Sequence, residues 1–136
     1  MYKRQVISQA KEFVDTKEGR LDAVVEQEGK NLSGGQRQRL TLARALVPQS
    51  DILIMDDSAS ALDYATDAKL RKAIQNMKRK PTVFIVSQRT SSIQDADSIL
   101  VLDDGKIAGK GTHEELIASC DIYREIYETQ FKKEEA

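Results

Sequence analysis

The sequence predicts an α/β domain with a mainly parallel sheet, flanking helices and a C-terminal hairpin. Residues 52–55 (Ile-Leu-Ile-Met) are a short apolar run closed by Asp56 and Asp57, the pattern of a buried parallel strand. The run Val-Phe-Ile-Val at 83–86 repeats it, after a stretch of helical spacing, and residues 98–102 repeat it again. Asp104 and Gly105 then read as a tight hairpin turn into residues 106–110. Strands alternating with helices define this class.

In chain order, Val6, Ile7, Ala10, Phe13 and Val14 fall at helical spacing and predict one helix over 3–14. Residues 17–31 are polar, are punctuated by Gly19 and Gly29, and predict a loop. A helix follows over 34–47 and ends at Pro48, whose ring and missing N–H stop it. After the first strand, residues 64–80 predict a helix with Leu70, Ala73, Ile74 and Met77 on one face. Beyond the hairpin, Thr112 and Glu115 form a capping box for a short helix. A last amphipathic helix carries Ile122, Tyr123, Ile126, Tyr127 and Phe131, and the residues from Lys132 onward are a solvated charge run.

The bulk properties bound the function. At 136 residues the chain is one domain or a large piece of one, and 40% hydrophobic content allows a real core. A net charge of -1 gives no reason to expect nucleic acid or an anionic membrane surface. Arg37, Arg39 and Arg44 share one helix but lack interleaved aromatics, so they make a weak nucleic-acid patch. No apolar run approaches the roughly 20 residues of a membrane-spanning helix. Cys120 is the single cysteine, which rules out an internal disulfide and a cysteine-based metal cluster.

Three places carry chemistry. Ser33 and Gln36 form a capping box at a helix start, yet the box does not need Gly34 and Gly35, which cost helix stability there. An anion approaching the helix end does need them, because without Cβ atoms the N–H groups and the positive helix end are open to a phosphate. Asp56 and Asp57 lie at the carboxyl end of a strand, where open α/β sheets bind their ligands. Asp63 is placed to cap the next helix. His113, the only histidine, sits in the first turn of a capped helix and reads as structural. Residues 105–112 look like a phosphate loop but are one residue short, and Lys110 is not followed by Ser or Thr.

Residues 31–40, with Leu32-Ser33-Gly34-Gly35-Gln36 matched letter for letter, resemble the signature sequence of ATP-binding cassette (ABC) ATPases. Asp56 is similar to the Walker B aspartate, and the resemblance implies that it holds Mg2+ through water. The next position, where the family has a glutamate that orients or deprotonates the attacking water, is Asp57, shorter by one methylene. Ser60-Ala61-Leu62-Asp63 resembles the D-loop, which lies across the interface between two ATPase domains. Gln88 falls where the family has its switch histidine, and an amide cannot carry positive charge or shuttle a proton. Gly-Thr-His-Glu-Glu-Leu at 111–116 is similar to exporters, and residues 25–29 occupy the place of an exporter loop that faces the transmembrane part.

The resemblance implies a partial P-loop NTPase domain: residues 1–50 from the helical, signature-bearing subdomain and 51–136 from the C-terminal part of the core. No position carries the Walker A pattern G-x-x-x-x-G-K-[ST]. The implied parent is an ATP- and Mg2+-dependent membrane exporter at the cytoplasmic face, with its own N-terminal transmembrane domain. Leu32, Ser33, Gly34, Gly35, Gln36, Ser60 and Asp63 would contact ATP held by the Walker A of a second, different half-transporter subunit. Asp57 and Gln88 depart together and resemble the degenerate site of heterodimeric exporters. By this reading the chain alone is soluble and inactive. Two other classes stay open: a coiled-coil DNA-maintenance ABC ATPase, and an inert truncated binding module. In this family the strand leading into Walker A lies centrally, so its absence would leave an unpaired edge. The run at 83–86 would then pair with 98–102, or the chain would self-associate through that edge.

Overall fold

The structure is a computed structural model that describes residues 2–131, and of Tyr2 only the backbone. The charge run expected from Lys132 onward lies outside the described residues. The chain divides into two compact units, Met1–Val86 and Ser87–Ala136.

The first unit begins with α1 (Tyr2–Ile7) and α2 (Lys11–Asp15), where one continuous helix was expected. The break falls at Gln9, whose φ of 58° is left-handed and cannot continue a helix. The apolar spacing runs across the break because Ala10, Phe13 and Val14 still reach one small core, which also holds Leu32. A distant residue holds the kink: Arg39 donates to the Gln9 carbonyl at 3.1 Å and lies over the Phe13 ring. Two short tight helical turns, Arg20–Asp22 and Gln27–Gly29, interrupt the polar stretch that follows. Asn31 fastens its end, donating to the Val24 carbonyl and accepting from the Glu26 N–H.

The helix that opens on the Gly-Gly pair is α3 (Gly34–Ala45), with Leu46 as C-cap two residues ahead of Pro48. It leads to β1 (Ile52–Asp56), α4 (Tyr64–Gln75) and β2 (Thr82–Val86). β1 and β2 pair in parallel, Leu53 opposite Val83 and Met55 opposite Ile85, so this is a β-α-β unit. α4 stops at Gln75, short of the expected 80, because the chain must turn back to deliver β2 beside β1. Arg79 and Asp51 form an ion pair across that return. Leu42, Leu46, Leu53, Met55, Leu62, Leu70 and Ile74 make one core of α3, α4 and the buried face of β1. Within α4, Asp67 is buried and paired with Arg71 one turn on, at 3.3 Å.

Both strands differ from expectation in the same way. They are covered on one face only: Ile52, Ile54, Phe84 and Val86 point outward and are exposed. An apolar run of four fits a strand buried on two faces, and here the second face has no cover among the described residues.

The second unit holds β3 (Ile99–Asp103), β4 (Lys106–Gly111), α5 (His113–Ser119) and α6 (Asp121–Phe131). β3 and β4 form the expected antiparallel hairpin, and positive φ at both Asp104 and Gly105 gives the turn that matches strand twist. The register shifts between Val101 and Leu102, leaving Ala108 as the extra residue of a bulge. Residues 83–86 pair with β1 and not with 98–102, so that expected closure of the gap is not formed. Ile99, Val101, Leu116, Cys120 and Tyr123 are the core. Gly109 is required there, since a Cβ would lie 2.9 Å from the Leu116 side chain and 3.0 Å from Cys120 Sγ. The Thr112–Glu115 capping box is present in full. His113 Nδ1 lies 2.9 Å from the Tyr123 hydroxyl, and its ring meets those of Tyr123 and Tyr127. Burial, with smaller contributions from Tyr127 and Glu114, raises the Tyr123 phenol above its ordinary value.

Candidate functional site

The site of the first unit is built on the N-terminal end of α3. Ser33 has extended backbone, and its hydroxyl accepts from the Gln36 N–H at 3.2 Å. The Gln36 side chain returns the bond, accepting from the Ser33 N–H at 3.1 Å. Leu32, just before, is anchored in the core with Phe13 and Val14, so its side chain fixes the entry of the chain and only its backbone remains for a ligand. Arg37 donates to the carbonyls of Leu32 at 2.7 Å and Gly29 at 3.3 Å, which locks the loop leading into the helix. Arg37 and Arg39 are thus both spent on the chain's own carbonyls.

Beside this helix end runs the loop that leaves β1. Asp56 closes the strand, and Asp56 and Asp57 are both exposed. Asp57 has a left-handed φ of 46°, a conformation that Asp adopts at less cost than most residues, and its N–H donates to the Val86 carbonyl at 3.0 Å. Ser60 turns its hydroxyl back to the Asp57 carbonyl at 3.0 Å, and Leu62 plunges into the main core of the unit. Asp63 caps α4, accepting from the Thr66 N–H and from the Thr66 hydroxyl, each at 2.8 Å. Those two bonds, the backbone one foremost, hold the Asp63 carboxyl below its ordinary value of 3.8.

The loop and the helix touch directly. A Cβ on Gly35 would lie 2.9 Å from the Ala61 carbonyl oxygen, whereas one on Gly34 would make only an ordinary 3.5 Å contact with the Ala61 side chain. Gln38, one turn into α3, bridges the same gap. Its Oε1 accepts from the Ala61 N–H at 3.1 Å and its Nε2 donates to Ser60 Oγ at 3.0 Å. Sequence reasoning singled out neither contact, since both join positions more than twenty residues apart and leave no local pattern. The structure therefore gathers Ser33, Gly34, Gly35, Gln36, Ser60 and Asp57 around one helix end and the loop beside it.

Gln88 belongs to the second unit. It lies two residues past the end of β2 with its side chain exposed. Its main chain is fixed by Gln130 of α6, which donates to the Gln88 carbonyl at 2.6 Å and accepts from the N–H and hydroxyl of Thr90.

The donor set at the end of β1 suits a hard cation held indirectly. Mg2+ keeps several waters and takes one or two carboxylates together with substrate phosphates. Asp56 and Asp57 offer that, and no group of three metal-ligating side chains occurs among the described residues.

Known proteins are similar to this chain in both sequence and fold. Residues 2–60 match the family described as ABC transporter. An ATP-dependent lipid A-core flippase of Mannheimia succiniciproducens is 41% identical over 134 residues, 95% of this chain and 23% of that protein. An uncharacterized ABC transporter ATP-binding protein of Bacillus subtilis is 48% identical over 113 residues, 83% of this chain and 19% of the other. The structure of a bacterial Atm1-family ABC exporter with ATP bound aligns with a TM-score of 0.89 at 32% identity, covering 93% of this chain and 22% of that one. The chain thus spans less than a quarter of the length of the relatives it matches. In sequence and in α/β fold the chain is similar to part of the nucleotide-binding domain of ABC transporters.

Proposed function

We propose that this chain serves ATP-driven export as the signature-bearing part of an ATPase domain, and that it completes an ATP site whose Walker A comes from a second, different subunit. The observation that carries this reading is the end of α3, where a fully formed capping box leaves Gly34 without a side chain and the helix N–H groups open. A helix end of this kind binds phosphate through backbone N–H groups and the positive end of the dipole. Catalysis of phosphoryl transfer is mostly positioning and charge stabilisation, so a rigidly held set of donors is what such a site requires.

In this reading Leu32 to Gln36, Ser60 and Asp63 serve the ATP of the opposite subunit, with Leu32 acting through its backbone. Asp56 would hold Mg2+ through water, and the ion when bound neutralises charge on the phosphates. Asp57 and Gln88 take the places of the water-orienting carboxylate and the switch histidine, and both are poorer groups for those tasks. The site they serve is therefore the weak one of an unequal pair. The division of the parent domain at residue 50, into a signature-bearing helical part and a core part, belongs to the same reading, as does a position at the cytoplasmic face of a membrane. No helix among the described residues is long and apolar enough to cross a membrane.

The test is asymmetry of effect in the assembled transporter. Gly34→Asp has room for its Cβ and puts a carboxylate where a helix start favours one, so the fold should hold. The same charge would repel a phosphate, and ATP turnover should fall by about a hundredfold or more, as when a transition-state donor is lost. Asp57→Asn should cost far less. Equal losses from the two changes would refute the degenerate-site reading.

A further inference from the structure

We propose that Gln38 is a positioning residue: its side-chain amide clamps the 57–62 loop to the N-terminal end of α3, so that the two move as one piece. The proposal rests on the reading above, which assigns the helix end to one ATP site and Asp57 to the other. The amide uses its acceptor and its donor on adjacent residues, Ala61 N–H at 3.1 Å and Ser60 Oγ at 3.0 Å, with Nε2 also 3.5 Å from the Asp57 carbonyl. Two bonds from one planar group fix both the distance and the angle between helix and loop. Ser60 passes the constraint on, since its hydroxyl and its N–H both donate to the Asp57 carbonyl, at 3.0 and 3.2 Å. On the helix side, the Ala61 carbonyl packs so closely on Gly35 that no side chain fits between them.

The loop has other anchors at its two ends, which separates positioning from folding. Leu62 is buried in the core, and the Asp57 N–H is held by the Val86 carbonyl. Loss of the Gln38 amide leaves both in place and frees only the segment between them. A shift of the loop then displaces Asp57 and the helix end relative to one another, which harms a reaction that depends on sub-ångström placement more than it harms binding.

The test uses the assembled transporter that carries this chain. Gln38→Met keeps the length and removes both hydrogen bonds, and Gln38→Glu keeps the acceptor for Ala61. Gln38→Met should lower kcat about tenfold with KM for ATP changed by no more than about twofold, the split expected when ground-state binding is spared. Gln38→Glu, which still accepts from the Ala61 N–H, should recover part of the loss. Hydrogen exchange over residues 57–62 should speed up about tenfold in Gln38→Met, with α4 unchanged. An unchanged kcat, or a Gln38→Glu variant no better than Gln38→Met, would overturn the proposal. So would unchanged exchange over 57–62. A transporter with no ATP turnover even when unsubstituted would count against the proposed function instead, and the exchange measurement would still decide whether Gln38 clamps the loop.

Discussion

Gly34 and Gly35 are neighbours that lack a side chain for different physical reasons. At Gly35 the reason lies within the fold: the Ala61 carbonyl occupies the space a Cβ would need, at 2.9 Å. At Gly34 the space is ordinary, and the phosphate proposed to approach there is a reason to leave it empty. Alanine should separate them. Gly35→Ala must push main chain aside and should destabilise by about 1–3 kcal/mol, as overpacking does. Gly34→Ala should instead stabilise by about 0.5–1 kcal/mol, the usual gain inside a helix. Chemical denaturation of the two variants checks the opposite signs. Asp63 carries a pH signature of its own. Its carboxyl is held below 3.8, so the stability of that cap is fully present above the ordinary Asp range. It is lost only as pH falls through the lowered value of the folded state. Asp63→Asn should therefore be less stable than the unsubstituted protein at neutral pH, with the gap closing in strong acid. A gap that widened on acidification would contradict the assignment.

The elements show which parts of a sequence speak locally. Both capping boxes, the Asp63 cap and the two-residue turn at Asp104-Gly105 were legible because each rests on residues three or four positions apart. The break between α1 and α2 was not. Its apolar residues keep helical spacing on both sides, and the bonds that hold it, from the Ala10 N–H to the Gln5 carbonyl and from Arg39, thirty positions away, to the Gln9 carbonyl, leave no mark on that spacing. The Gln38 clamp was hidden in the same way, which is why the candidate site was read as a row of letters and its coupling to the loop was missed. The strands β1 and β2 were legible as strands but misread in burial, because an apolar run records what a strand can bury and not what covers it. At α4 the reading by face held: Leu70 and Ile74 are buried, and Leu70 is 0% exposed. Leu70→Ala should therefore cost about 2–5 kcal/mol, the range for a fully packed leucine. A thermal melt showing less than about 1 kcal/mol would mean that the core around α4 collapses to fill the gap.

At the scale of the whole molecule, the outward faces of the sheets decide how this chain behaves alone. Ile52, Ile54, Phe84 and Val86 share one face of the parallel pair, and Leu100, Leu102 and Ile107 are exposed on the hairpin. An exposed apolar face on a sheet marks either an interaction site or an aggregation risk. Two-stranded sheets also carry unpaired N–H and C=O groups on their outer edges, which template pairing with another chain. Both forces act in the same direction, since an edge-to-edge contact brings the apolar faces of two copies together. The 136-residue chain, prepared by itself, should therefore self-associate at tens of micromolar, where exposed edges and apolar surface drive association. Sedimentation velocity reads the outcome directly. Ile54→Lys combined with Phe84→Lys, which charges two register partners on the parallel pair, should shift the population toward monomer without unfolding the core beneath, because both side chains already face solvent. A chain that stays monomeric without those substitutions would show that the exposed faces are sealed some other way.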